Sequence, residues 1–252
     1  MALAALIFDV DGTLAETEEV HRQAFNEIFE ERKFDWHWSW EQYSELLKVT
    51  GGVERITHFL RTEHSGVFSD EWIETQVPDI HRAKTARYGD LLASGSITLR
   101  PGIERLCKEA RDEGVTLAIS TTTSPANVAA LIDHSPDTVA MDWFSAVGAG
   151  NIVGHKKPAP DIYLWTLEQL GIPASECVAV EDSYNGIASA SAAGLATVVT
   201  YSSYTKGQDF TGALAVADTL GDTGIPSTLL SGDHLGKGVI DLELIRAWHS
   251  AC

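Results

Sequence analysis

Two carboxylates stand two residues apart near the start of the chain, directly after an apolar run. The stretch ALIFDVDGTL covers residues 5–14, and in it Asp9 and Asp11 are followed at once by Gly12 and Thr13. Closely spaced carboxylates can supply a nucleophile and an acid–base group, and they can bind a divalent cation through oxygen. A strand-to-loop turn also uses Asp and Gly, because Asp bonds its own backbone and Gly accepts positive φ. This stretch by itself leaves both interpretations open.

Three further polar stretches complete the set of groups that can handle a phosphate. Each ends an apolar run or precedes a proline, and their residues are Ser120, Thr121, Thr122, Lys157, Glu181 and Asp182. Mg²⁺ takes oxygen ligands from carboxylates and phosphates, and a transferring phosphoryl group is stabilised by a metal, a lysine and hydroxyl or amide donors. Each stretch has an ordinary alternative, namely a loop, an exposed turn or a helix cap. Four coincidences at matching strand ends are improbable, so the pattern favours a phosphate site.

The elements that must position these residues follow a regular alternation. Apolar runs predict strands over residues 2–8, 115–120, 144–150, 177–182, 195–201 and 213–220, and helical patterns cover 102–114, 159–171, 183–194 and the tail 235–249. This order predicts an α/β fold, a doubly wound parallel sheet buried on both faces. Ligands of such sheets bind at the carboxyl ends of the strands, where Asp9, Ser120 and Asp182 fall.

Residues 16–93 break the alternation and carry helical patterns only. The patterns cover 18–31, 39–49, 52–63 and 70–93. Ser39 and Gln42 predict a capping box for the second helix, and Pro78 predicts an interruption or kink in the last. We therefore predict an α/β core domain of residues 1–15 and 94–252, with a helical cap domain of residues 16–93 hinged over the mouth of the sheet.

Composition and charge restrict the partners and the compartment. The chain has 252 residues, enough for a sizeable core, and its 36 acidic against 18 basic residues give a formal net charge of −18. That charge repels nucleic acid. Three scattered cysteines, an early first strand and the absence of an apolar run near the ~20 residues of a membrane helix favour a reduced cytoplasmic protein. We expect a monomer without a nucleic-acid or membrane partner, in the cytoplasm or, in a photosynthetic eukaryote, the plastid stroma.

The four polar stretches resemble, in order, the four signature motifs of the haloacid dehalogenase-like hydrolase superfamily. The stretches LAETEEVHRQAF, TGG, HRAKTARY and ISTTTSPANV further resemble the CbbY branch, which is linked to dephosphorylation of sugar bisphosphates that inhibit Rubisco. The resemblance covers the whole chain and implies a Rossmann-like core with a helical cap. It also implies a Mg²⁺-dependent phosphatase that acts on a small phosphorylated sugar, xylulose 1,5-bisphosphate above all, through an aspartyl-phosphate.

The resemblance assigns a role to each motif residue. Asp9 would be the nucleophile, Asp11 the general acid and base, and Lys157 the cation that neutralises Asp9 and the phosphoryl group. Ser120 and the amide after it would grip the phosphate. The metal would be held by Asp9, the Asp11 carbonyl, Asp182 and Glu181.

Substrate selection is expected in the cap and the adjoining loops. Glu18 and His21 lie on one helix face and could reach sugar hydroxyls, and Arg55 and Lys84 are candidate clamps for a distal phosphate. A solvated helix face is the alternative for Glu18, Arg55 and Lys84. The full set of candidate substrate-binding residues is Gly12, Thr13, Glu18, His21, Tyr43, Gly51, Gly52, Arg55, Lys84, Thr121 and Thr122.

Three other functions are compatible with the same scaffold. A dehalogenase needs neither a second aspartate nor a metal, so Asp11 and Asp182 argue against it. A mutase of the β-phosphoglucomutase type commonly has an apolar residue in place of Thr13, so Thr13 favours a phosphatase; phosphoglycolate is an alternative substrate. A non-catalytic binding protein usually lacks an aspartate or the lysine, and both are present here.

Overall fold

A twisted sheet lies at the centre of the computed structural model, which describes residues 2–95 and 97–251. In these residues the sheet has seven strands in the order β3-β2-β1-β4-β5-β6-β7. Neighbouring strands are parallel except β6 and β7, which are antiparallel. The strands are β1 (Ala5–Phe8), β2 (Thr116–Ser120), β3 (Phe144–Gly148), β4 (Cys177–Glu181), β5 (Ala196–Thr200), β6 (Ala215–Ala217) and β7 (Leu229–Ser231).

Strand β1 lies between β2 and β4 and brings three of the polar stretches side by side. All four of its residues are fully buried, as expected for a parallel strand covered by helices on both faces. Phe8 is in register with Ile119 of β2 and with Val180 of β4. The residues that follow these strands therefore meet at one edge of the sheet. The predicted α/β class and its six strands are confirmed, and β7 is an additional short strand at the far edge.

Helices cover both faces of the sheet and form a separate segment after β1. The helices are α1 (Glu18–Glu31), α2 (Trp40–Leu46), α3 (Gly52–Glu63), α4 (Asp70–Ser94), α5 (Ile103–Asp112), α6 (Pro125–His134), α7 (Asp161–Leu170), α8 (Tyr184–Ala192) and α9 (Leu242–Ser250). We call α1–α4 the helical segment. None of the helices in the described parts of the chain has the length and apolarity needed to cross a membrane.

Two local predictions in the helical segment have different outcomes. The Ser39 side chain accepts a hydrogen bond from the Gln42 amide at 3.2 Å, which confirms it as the N-cap of α2. Pro78 was predicted to interrupt or kink the last helix, and the interruption is wrong because α4 continues through it from Asp70 to Ser94. A proline removes one amide donor, and the packing of α4 against α1 and α6 maintains the helix around it.

The helical segment has a hydrophobic core of its own. One buried cluster packs against the sheet, whereas a second is built from residues 25–80 and includes Trp36 and Trp38. Trp36 packs against Phe29, and Trp38 packs against Phe25 and Phe29, all inside the segment. Among the buried members in the described residues, Tyr204 is the sole contribution from outside 25–80.

Candidate active site

A cavity of about 950 Å³ lies between the carboxyl ends of the strands and the helical segment. The sheet side contributes the motif residues Asp9, Asp11, Thr121, Thr122, Lys157, Glu181 and Asp182. The helical segment contributes Glu18, His21, Gly51, Gly52, Arg55 and Lys84. Most of the predicted site residues therefore surround one space.

Lys157 is the centre of the polar network at the floor of the cavity. Its Nζ atom donates to Asp9 Oδ1 at 2.7 Å, to Glu181 Oε1 at 2.6 Å and to the Ser120 carbonyl at 2.8 Å. These three bonds use all three ammonium protons. Burial opposes the charge of Lys157, but the Asp9 and Glu181 carboxylates raise its pKa above the ordinary lysine value. The lysine is therefore a permanent cation beside Asp9.

Three buried carboxylates meet next to this lysine. Asp9, Glu181 and Asp182 each place one oxygen within 4.8 Å of the others. Burial raises the pKa of Asp9 well above its ordinary value, and burial with the Glu181 charge raises the pKa of Asp182 to about 8. Glu181 Oε2 is buried and has no hydrogen-bond partner among the described residues. An oxygen-only donor set with excess negative charge and an unpartnered oxygen fits Mg²⁺.

Two glycines make room for the carboxylates. A Cβ atom on Gly12 would lie 2.2 Å from Asp182 Oδ2, and Gly12 also has a φ of +80°, which disfavours other residues. A Cβ atom on Gly186, at the start of α8, would lie 1.9 Å from Glu181 Oε2. Gly12 was a predicted site residue, whereas Gly186 was missed although it lies only four residues after Asp182.

Asp11 is turned away from the three carboxylates and toward α1. Its Oδ1 atom accepts from Thr17 Oγ1 at 2.5 Å and lies 3.0 Å from His21 Nε2. Burial acts to raise the pKa of Asp11, but the charge and hydrogen bond of His21, with that of Thr17, lower it to about 2. In this arrangement Asp11 is an ionised carboxylate.

Lys84 connects to Asp11 through the His21 ring. Lys84 Nζ lies 2.5 Å from His21 Nδ1, and His21 stacks on Tyr88 with a centroid distance of 4.1 Å. The other ring nitrogen, His21 Nε2, contacts Asp11, so the ring lies between the Lys84 ammonium group and the Asp11 carboxylate. Burial lowers the pKa of Lys84 to about 7 although Asp11 and Glu18 act to raise it. Lys84 is only 3% exposed, so a solvated helix face is excluded for this residue.

A second row of polar side chains crosses the helical segment. Tyr43 donates to Glu18 Oε2 at 2.9 Å and accepts from Arg55 Nη1 at 3.0 Å, and Arg55 Nε donates to the Leu46 carbonyl at 3.2 Å. Tyr43 is fully buried and Arg55 is 9% exposed. Glu18 and Arg55 line the cavity, and Tyr43 holds them from behind. Tyr43 was predicted to contact the substrate, but it does not line the cavity. Its hydroxyl instead holds the Glu18 and Arg55 side chains in place.

Two predictions at the strand ends need correction. The Ser120 hydroxyl is fully buried and lies 2.7 Å from Thr166 Oγ1 of α7, so it is directed at that helix, and the next residue, Thr121, lines the cavity. Thr13 is also fully buried, and its hydroxyl has no hydrogen-bond partner among the described residues. Thr13 is not part of the cavity lining, so it was wrongly predicted to contact the substrate. If Thr13 distinguishes a phosphatase from a mutase, it does so without touching the substrate.

Sequence reasoning missed several residues that shape the site. Arg100 is buried and donates to the carbonyls of Gly12, Thr200, Tyr201 and Asp218, which ties the loop after β1 to the ends of β5 and β6. His81 lines the cavity, and burial, with Lys84 and Lys156 nearby, lowers its pKa to about 3. Arg100 stands alone in a loop and gives no spacing pattern that could have revealed it. His81 begins the stretch HRAKTARY, and its place in that stretch is the signal that could have found it.

Polar contacts also join the helical segment to the sheet. Lys156 Nζ donates to Glu54 Oε2 at 2.8 Å, and Asn185 Nδ2 donates to Thr50 Oγ1 at 3.0 Å. Both sheet-side residues adjoin predicted motifs, since Lys156 precedes Lys157 and Asn185 follows Asp182 closely in sequence. Adjacency to the motifs is the signal that could have found them.

Comparison with known proteins identifies the class that this fold and site define. The sequence profile of haloacid dehalogenase-like hydrolases matches residues 3–194. The chain belongs to this family, and it is an enzyme of the phosphoric monoester hydrolase class.

Within the family the chain is similar to CbbY proteins. It is 51% identical over 213 residues to CbbY of Rhodobacter capsulatus, covering 84% of this chain and 92% of the relative. It is 43% identical over 252 residues to the protein "CbbY, plasmid" of Cupriavidus necator, covering 98% and 97%. The crystal structure of a CbbY mutant from Rhodobacter sphaeroides in complex with xylulose 1,5-bisphosphate matches with a TM-score of 0.81 at 45% identity, covering 88% of this chain and 98% of that one.

Proposed function

We propose that the protein is a Mg²⁺-dependent phosphatase that hydrolyses a small sugar bisphosphate, xylulose 1,5-bisphosphate above all, by way of an aspartyl-phosphate. The observation that carries the proposal is the contact of Asp9 with Lys157 beside Glu181 and Asp182 at the floor of the cavity. The similarity to a CbbY protein crystallised with xylulose 1,5-bisphosphate supports the substrate.

Asp9 is the proposed nucleophile. One of its carboxylate oxygens forms a bond to phosphorus while the bond from phosphorus to the sugar oxygen breaks, and water later cleaves the aspartyl-phosphate. Lys157 balances the negative charge of Asp9 and of the phosphoryl group, and Thr121 with its neighbouring amides is placed to hold the phosphate oxygens. Mg²⁺ held by Asp9, Glu181, Asp182 and the Asp11 carbonyl would orient the phosphate and offset the remaining negative charge.

Asp11 is the proposed general acid and base, and from its observed position it has to reorient before it can act. To protonate the leaving sugar oxygen it has to leave Thr17 and His21 and face the phosphate. Because those two partners lower its pKa, their loss in a buried site raises the pKa and lets Asp11 hold a proton. In the second step Asp11 takes a proton from the attacking water.

We propose that residues 16–93 act as a cap domain on a core of residues 1–15 and 94–252. The separate hydrophobic core of the helical segment supports this division. Side-chain contacts such as Lys156 with Glu54 and Asn185 with Thr50 join the two parts across the cavity. Arg55 and Lys84 give the cap side of the cavity positive groups for a distal phosphate in a chain whose net charge is −18. Glu18 is placed to accept hydrogen bonds from sugar hydroxyls.

Release of inorganic phosphate from xylulose 1,5-bisphosphate tests the reaction class. We expect release to require Mg²⁺, to stop on chelation, and to be lost in Asp9→Asn while the fold is kept. Asp133→Asn, which changes an exposed aspartate, is the matched control and should keep full activity. Release that persists in Asp9→Asn would refute the mechanism.

A substrate panel tests the finer proposal separately. The panel compares kcat/KM for xylulose 1,5-bisphosphate, ribulose 1,5-bisphosphate, phosphoglycolate and glucose 6-phosphate. Equal and slow rates would contradict the substrate while leaving the reaction class in place. Isomerisation of β-glucose 1-phosphate without release of phosphate would instead identify a mutase.

A further inference from the structure

Tyr204 joins the sheet side of the molecule to the hydrophobic core of the helical segment. It lies in the loop after β5, yet it is 6% exposed and belongs to the buried cluster of residues 25–80. Its ring stacks on Trp40 of α2 at a centroid distance of 5.2 Å and meets Tyr43 edge-on at 5.7 Å. Its hydroxyl donates to Glu19 Oε2 of α1 at 2.5 Å. The loop thereby contacts two helices of the segment through one side chain.

The next residue, Thr205, contacts the carboxylate cluster instead. Its Oγ1 atom lies 3.2 Å from Asp182 Oδ2 and accepts from the Ser202 amide at 2.8 Å. A backbone amide can only donate, so the Thr205 hydroxyl accepts there and donates to Asp182. The Ser202 hydroxyl lies 3.0 Å from the same Thr205 oxygen, and its own hydrogen bond to Asp182 acts to lower the pKa of that carboxyl. Thr205 is buried and lines the cavity. Its hydroxyl contacts Asp182 Oδ2, the same oxygen that lies against Gly12.

The short turn from Ser202 to Thr205 couples the contact of Tyr204 with the helical segment to the contact of Thr205 with Asp182. The Thr205 amide donates back to the Ser202 carbonyl at 3.3 Å, and Ser203 Oγ donates to Glu16 Oε2 at 3.2 Å, where the chain enters the helical segment. A four-residue turn closed by its own hydrogen bonds moves as a unit. A displacement of Tyr204 with the helical segment therefore displaces Thr205.

We propose that residues 202–205 form a docking loop that receives the helical segment through Tyr204 and fixes the metal-ligating orientation of Asp182 through Thr205. The inference rests on the proposed function, which makes Asp182 a metal ligand and the helical segment a movable cap. Its consequence is reciprocal. If cap docking favours the metal-binding orientation of Asp182, then Mg²⁺ favours cap docking by the same factor.

Mg²⁺ titration by calorimetry without substrate tests whether Thr205 orients Asp182 for metal binding. Loss of the Thr205 hydroxyl in Thr205→Val is expected to weaken Mg²⁺ binding about 10- to 100-fold, as for other residues that orient metal ligands. Thr205→Ala is a second variant without the hydroxyl, and Thr205→Ser, which retains it, should restore the affinity. Thr211→Val changes an exposed threonine of the same region and should bind Mg²⁺ as the wild type does.

Hydrogen exchange of the α2 amides with and without Mg²⁺ tests whether docking of the helical segment on Tyr204 depends on the metal. We expect Mg²⁺ to slow exchange in the wild type. Exchange in Tyr204→Ala should be faster and independent of Mg²⁺, because the ring that α2 docks on is gone.

The outcomes separate this inference from the proposed function. A wild type that does not bind Mg²⁺ would overturn both. A wild type that binds Mg²⁺ while Thr205→Val and Thr205→Ala bind it equally well would overturn the inference alone. Mg²⁺-dependent protection of α2 that survives in Tyr204→Ala would also overturn the inference alone.

Discussion

Replacement of Lys84 by methionine is expected to stabilise the fold while it damages the site. Burial lowers the pKa of Lys84 to about 7, from about 10.4 for an ordinary lysine. At 1.36 kcal/mol for each pKa unit, a buried ammonium ion at this position costs about 5 kcal/mol of folding free energy when it is charged in both states. Methionine has a similar shape and no charge, and its neighbours Phe25 and Tyr88 are aromatic.

The sign of the pH dependence follows from the lowered pKa. Below about pH 7 the lysine is charged in the folded and the unfolded chain, so the wild type bears the whole cost. Between about pH 7 and 10.4 the folded chain loses the proton first, and the stability of the wild type rises with pH. Lys84→Met should therefore exceed the wild type by up to about 5 kcal/mol at pH 6, and most of this gain should disappear by pH 10.

Urea unfolding at pH 6, 8 and 10 measures this difference directly. Lys108→Met is the matched control, because Lys108 is an exposed lysine on α5, and its effect should be small at every pH. Turnover should fall in Lys84→Met since the His21 ring loses its partner. A variant that is less stable than the wild type at pH 6, or whose difference from it does not change with pH, would refute the reasoning.

Three further predictions concern the floor of the cavity. Mg²⁺ affinity, measured by calorimetry, should rise with pH through about 8, because a metal binds the ionised form of Asp182 and burial raises its pKa to about 8; an affinity constant from pH 6 to 9 would contradict this. Gly12→Ala should weaken Mg²⁺ binding at least tenfold, since the added Cβ would lie 2.2 Å from Asp182 Oδ2. Ser120→Ala should retain most of the phosphatase rate while Thr121→Val raises KM or lowers kcat, because the Ser120 hydroxyl is bonded to Thr166 and Thr121 lines the cavity; the reverse order would restore Ser120 as the phosphate ligand.

The convergence of the motifs could be predicted because it depends on the sheet alone. Parallel strands end at one edge, so residues after β1, β2 and β4 must meet once those strands are recognised. The apolar runs were continuous and rich in Val and Ile, which made the strands easy to recognise. Strand β7 was missed because its pattern is only a half-buried Leu229, an exposed Leu230 and one serine.

The orientation of individual side chains could not be predicted to the residue. Successive side chains at a strand end point to opposite faces, so an error of one position exchanges Ser120, which contacts α7, with Thr121, which lines the cavity. Arg100 illustrates a second limit. Its partners include carbonyls about a hundred residues away in sequence, and only the folded chain brings them together.

The separate hydrophobic core of the helical segment bears on how this kind of enzyme can diversify. Substitutions among residues 25–80 that alter ligand preference change packing within that cluster and leave the strands that carry the reacting groups undisturbed. Tyr204 is the exception, because it is buried in the cluster of residues 25–80 although it lies in the loop that follows β5. Selection for a different substrate can thus alter the packing of residues 25–80, provided that the contacts of Tyr204 in that cluster are kept.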